Sequence, residues 1–163
     1  MGQVWTTQEG KTPVKAAENK VPSAAIWLGG LGAVPFIGLS GAIPFLPDAP
    51  KLLVAHALVA YGATILSFLG GIHWGLAIGS DSSSDNSNFL TRLVLSVIPS
   101  LAGWYALLVS GPIALFILAT AIAAMLWVDL RATKAGYVPP WYPKLRIPLT
   151  CVVVATLLCS AIT

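Results

Sequence analysis

Five apolar runs, separated by short polar segments, make up most of this chain. They occupy residues 22–46, 52–79, 89–110, 112–130 and 147–162. The second is the longest, about 42 Å as a helix at ~1.5 Å of rise per residue. A bilayer's hydrocarbon core is only ~30 Å thick, so this helix must tilt or protrude. The fifth is the shortest, at about 24 Å. Pro22 and Ser23 open the first run, where the missing proline donor costs nothing. Pro35 inside it predicts a kink, and Gly38, Gly41 and Pro44 weaken its second half as a regular helix. Gly111 and Pro112 leave so short a connection that the third and fourth runs must form an antiparallel hairpin.

The polar segments complete the outline. Residues 1–21 form a polar tail, 80–88 a serine-rich loop, and 131–146 a loop rich in proline, aromatic and basic residues. The pattern predicts an all-α polytopic membrane protein. One five-transmembrane-helix bundle spans residues 22–163, behind the tail of residues 1–21.

Composition agrees. Of 163 residues 56% are hydrophobic and 9% charged, and the mean hydropathy is +0.82. A soluble domain carries roughly 25% charged residues. There is too little charge here to solvate a surface, so the outer face must meet lipid.

Charge then fixes an expected orientation. Eight of the nine Lys and Arg residues (Lys11, Lys15, Lys20, Arg92, Arg131, Lys134, Lys144 and Arg146) fall on the side of the N-terminus, and Lys51 alone on the other. Cytoplasmic loops carry the excess of Lys and Arg. The N-terminus is therefore expected in the cytoplasm, or on the matrix side, and the C-terminus outside. The tail has lysines, Glu9 and Glu18 but no arginine, which fits neither a signal peptide nor a transit peptide. A polar tail that stays on the protein is therefore expected.

Several function classes are excluded. The chain has no phosphate-binding glycine loop, no GxSxG elbow and no CxxC pair. Its basic residues are topological anchors, which leaves no nucleic-acid site. His56 and His73 lie about 25 Å apart along one helix, too far to share a metal or a haem, and zinc needs three or four convergent ligands. Cys151 and Cys159 are separated by about 12 Å of helical rise, beyond disulfide reach, and read as small hydrophobes. No catalytic constellation and no metal site are expected, and no cofactor is required.

What is left is His73, an ionisable side chain within an apolar run. Such residues face the bundle interior or water rather than lipid. Asp129 ends the fourth run and Arg92 begins the third on the same side, with Trp74 beside His73. Two readings stand. One is an interfacial aromatic belt with an Arg–Asp pair near headgroup level. The other is a ligand pocket under the loops, built from His73, Trp74, Asp129 and Arg92. Ser67, Gly71, Gly75 and Gly79 recur every fourth residue and form a small-residue stripe suited to helix packing. Lys134, Lys144 and Arg146 with Trp141 are candidates for anionic lipid headgroups.

The GGIHWG core at 70–75, the short second hairpin and the WVDL end of the fourth run resemble one membrane-domain family. It includes mitochondrial transmembrane protein 69 and proteobacterial inner-membrane proteins. The resemblance covers roughly residues 24–162. It implies a five-span fold and a bacterial or mitochondrial inner-membrane location, of which the lack of a transit peptide favours the bacterial inner membrane; it makes His73, Trp74 and Asp129 characteristic positions, and implies no activity. The leading expectation is a non-enzymatic accessory or assembly component of a membrane complex. Its partners would be the lipid bilayer and either other membrane subunits or further copies of itself. The alternative is a protein that binds a lipid, quinone or porphyrin type of ligand near His73. A transporter or channel ranks third.

Overall fold

The computed structural model describes residues 20–79 and 86–163. The tail up to residue 19 and most of the serine-rich loop lie outside these. Among the described residues there are no strands. Five helices run in order: α1 (Ser23–Ala42), continued by one 3₁₀ turn (Ile43–Phe45), α2 (Asp48–Gly79), α3 (Asn86–Leu108), α4 (Pro112–Lys134) and α5 (Tyr142–Ile162). All five spans are long and apolar enough to cross a membrane. At 32 residues, α2 rises about 48 Å.

Helices α2 and α3 begin at Asp48 and Asn86, a few residues before the apolar runs, and both expected boundaries of the 131–146 loop move. The chain does not leave its helix at residue 130, and the fifth span does not wait until residue 147. Helix α4 continues to Lys134 and α5 starts at Tyr142, which narrows the loop to residues 135–141. The physical reason lies in the long basic side chains, which sit on helix ends and extend towards water. Arg131 does so over the ring of Trp127 one turn earlier, its guanidinium carbon 3.8 Å from the ring centroid. Helix α4 stops where glycine allows it. Gly136 has a φ of 79°, its N–H reaches the Thr133 carbonyl, and the Tyr137 N–H reaches that of Ala132. This pair of bonds is the Schellman C-cap, and it folds Tyr137 back over the end of the bundle.

Helices α1, α2, α4 and α5 close a ring, each packing on the next, and α3 lies outside it against α2 and α4. Phe36, Leu58, Leu66, Leu118, Ile122 and Leu157 are fully buried at the centre. Trp27, Leu28, Leu52, Phe68 and Ile162 point outward, as an exterior that meets lipid requires. In lipid no hydrophobic force drives helices together, so small residues must let the backbones approach. Gly70 of α2 does this against α3, where an added Cβ would lie 2.4 Å from the Ser96 carbonyl oxygen. Gly103 of α3 does it in return, with the Ala63 backbone 3.1 Å from its virtual Cβ. Hydrogen bonds supplement the packing. Pro35 lies within α1 and cannot donate to the Leu31 carbonyl four residues before it; beside that position the Tyr61 hydroxyl donates to the Gly32 carbonyl at 2.9 Å. The Ser40 hydroxyl donates to the Thr156 carbonyl of α5 at 2.9 Å.

Candidate functional site: a buried carboxylate between two cavities

Asp129 lies on the inner face of α4, 3% exposed. A lone carboxylate there would be prohibitively costly, and two neighbouring helices supply partners. From α2, His73 brings Nε2 to within 2.8 Å of Oδ1. From α5, Arg146 donates through Nε to Oδ2 at 2.6 Å. The Arg146 side chain is 10% exposed and that of His73 13%, so the whole chain of three is interior. Asp129 and Arg146 balance in charge. Against an ionised carboxylate, which can only accept, Nε2 is the donor of this bond. The Thr133 hydroxyl, one turn on, donates to the Asp129 carbonyl and steadies that end of α4.

His73 and Asp129, which the sequence brings towards one membrane face, are in direct contact. The arginine on Asp129 is the surprise. It is Arg146, where an Arg92–Asp129 pairing was the expectation. Arg92 instead lies over the Tyr137 ring, 3.9 Å from its centroid, and donates to the Tyr137 hydroxyl. Nor does Arg146 join the headgroup set, because it is buried; Lys134 and Lys144 are exposed at the same end. Trp141 is half-buried and meets the Tyr142 ring edge-on, 6.1 Å between centroids. Trp74 is largely exposed, in an outward hollow with Leu93 and Val97 of α3. Ser67, Gly71, Gly75 and Gly79 are also exposed. A Cβ on any of these three glycines would meet nothing within 4 Å, so among the described residues these glycines pack against no other helix. His56 is exposed near Lys51 at the opposite end.

The three-residue chain separates two cavities. The first, about 290 Å³, has His73 in its wall together with Arg92, Trp127, Arg131 and Tyr137. The second, about 430 Å³, opens between α1 and α5 on the Arg146 side. Sequence reasoning missed the groups that line this second cavity, Tyr142 and Thr150 above all. Their spacing was the available signal: Tyr142, Arg146 and Thr150 recur every fourth residue, which puts them on one helix face.

These features define a class: an integral membrane protein of five helices whose buried polar side chains converge on one carboxylate. The chain belongs to the family described as "Protein of unknown function (DUF3429)", whose profile matches residues 21–162. It is similar to Transmembrane protein 69 of Xenopus tropicalis, 40% identical over 138 residues, covering 78% of this chain and 53% of that one. It is also similar to Transmembrane protein 69 of Mus musculus, 33% identical over 127 residues, covering 72% and 50%. The chain thus spans about half the length of the curated relatives it matches. No solved structure matches it.

Proposed function

We propose that this protein binds a small ligand bearing an oxyanion in the cavity beside His73. The observation that carries this reading is the buried His73–Asp129–Arg146 chain ending at a cavity wall that also holds Arg92 and Arg131. Replacing a buried ionic cluster with apolar residues of similar volume is often neutral or stabilising. A membrane bundle therefore gains little stability from keeping one, and ionisable residues inside a membrane mark functional sites by default. The sign of the ligand follows from the charges. Asp129 is already engaged by Arg146, and the Arg131 guanidinium, held over Trp127, stands in the cavity wall, which favours a phosphate or carboxylate. Trp127 and Tyr137 supply flat apolar walls.

This end of the bundle also carries Lys134 and Lys144, so the positive-inside rule supports a cytoplasmic or matrix-facing cavity in an inner membrane. The accessory-subunit reading is second. It is favoured by the exposed Gly71, Gly75 and Gly79, beside which there is room for another helix.

The test is a titration of the purified chain in neutral-lipid nanodiscs. Glycerol phosphate is added in one arm and phosphatidylglycerol in the other, with tryptophan fluorescence as the readout. A saturable change in either arm, at least tenfold weaker in Arg131→Ala, is the expected result, and the arm that responds tells a free anion from a lipid headgroup. No saturable change in either arm overturns the reading.

A further inference from the structure

We infer that the second cavity, between α1 and α5, is a separate binding site for a neutral, carbonyl-headed membrane amphiphile such as a quinone. Three polar atoms carry the inference. Arg146 Nη2, the Tyr142 hydroxyl and Thr150 Oγ1 are all buried without a hydrogen-bond partner among the described residues, and all three side chains line this cavity. Arg146 and Thr150 are 8% and 4% exposed. Leaving such groups unmet costs their full desolvation, and most for the charged one. Three together on one face of α5 form a feature that a ligand would satisfy.

Their chemistry selects the ligand. Arg146 can only donate, while the two hydroxyls can do either, so one kind of group suits all three: an oxygen acceptor. The Arg146 charge is already balanced by Asp129. An anion would therefore bring an unpaired negative charge into an apolar interior, whereas a carbonyl oxygen brings none. Successive members of the row are about 6 Å apart along the axis, comparable to the separation of the opposed carbonyl oxygens of a six-membered quinone ring. The rest of the cavity is apolar, with Leu28, Phe68 and Leu149 in its wall. Leu28 and Phe68 also face outward at 72% and 64% exposure, so the cleft reaches the lipid side and a long tail has a way out. At about 430 Å³ it falls within the range of small-molecule sites, roughly 300–1,000 Å³. Gly32 lines the cleft with nothing within 4 Å of where its Cβ would be, so a side chain there would occupy ligand space rather than clash.

The experiment adds a decyl-substituted benzoquinone to the purified full chain in phosphatidylcholine nanodiscs. Quenching of tryptophan fluorescence, to which Trp141 in the cleft wall contributes, and the unfolding midpoint are both read. Saturable quenching is expected, weakened at least tenfold by Thr150→Val and by Tyr142→Phe, and lost in Gly32→Leu. The same two polar substitutions should raise the midpoint of the ligand-free protein, because each removes an unmet buried group. A role confined to packing would lower the midpoint and leave quenching unchanged, which overturns the site. A phospholipid that co-purifies with wild type, resists the quinone and is lost from Gly32→Leu would supply the same carbonyl chemistry from an ester, and would support the site with that occupant. Absence of both ligands from wild type overturns it. Gly32→Leu leaves the His73 cavity intact, so the glycerol phosphate titration in that variant separates failure here from failure of the first site.

Discussion

Asp129 and Arg146 stand equidistant in sequence from the junction of Tyr137 and Val138, and they meet at 2.6 Å. In an antiparallel helix pair, residues equally far from the turn lie at one depth. The Schellman turn at Gly136 sets the centre of this pair, so the ion pair follows from where the glycine falls.

Breaking that pair should be expensive, and removing it whole should not. Asp129→Ala leaves a buried guanidinium uncompensated, and losses of about 3–5 kcal/mol are typical of such breaks. The double variant Asp129→Leu/Arg146→Met should recover most of the loss, because the charges leave together. Unfolding midpoints of wild type, both single variants and the double variant in one lipid environment check this. A double variant as unstable as Asp129→Ala would contradict it.

The glycines of α2 should divide sharply. Gly70→Ala drives a methyl into the Ser96 carbonyl of α3, and forced separation of packed elements costs about 1–3 kcal/mol. Gly71→Ala, one residue on, faces open space and gains up to about 1 kcal/mol of helix propensity. Thermal unfolding of the two variants side by side should give shifts of opposite sign. A loss in Gly71→Ala as large as in Gly70→Ala would mean that a further helix covers the exposed stripe.

Gly136 supports the first cavity at a distance. A side chain at its positive φ costs roughly 1–2 kcal/mol. Gly136→Ala should therefore loosen the turn that carries Tyr137 and weaken oxyanion binding several-fold, while Gly111→Ala, at the other positive φ and the opposite end of the bundle, should leave binding unchanged. The fluorescence titration of both variants measures the difference.

The orientation has its own check. With Cys151 and Cys159 replaced, single cysteines at Lys134 and at Lys51 should label from opposite sides of the membrane. Lys134→Cys should be protected from an impermeant maleimide in sealed right-side-out cells, and Lys51→Cys should react. The reverse pattern would invert the topology.

The number of spans was legible because lipid leaves the backbone few choices. Every apolar run of this length must close its own hydrogen bonds as a helix. Helix ends were less legible. Arg131, Lys134, Lys144 and Arg146 look like loop residues by charge, yet all four lie on helices, since a long stem can bury while its head reaches water. That His73 and Asp129 approach one membrane face could be read from the order of the spans, and the contact is there. That Asp129 takes Arg146 was hidden, because depth alone also fits Arg92; only the centre of the α4–α5 turn separates the two. Tyr142 and Thr150 gave no signal by residue type and emerged only through their burial beside Arg146.

The central claim is that the chain through Asp129 serves a ligand. Native mass spectrometry of the protein, released gently from its own membrane, tests it most directly. The account predicts a discrete non-protein mass carrying a phosphate or carboxylate, present in wild type and Gly32→Leu and lost in His73→Gln and Arg131→Ala. Stoichiometric protein subunits with no such small molecule, in wild type and variants alike, would contradict it and make the accessory role the better description.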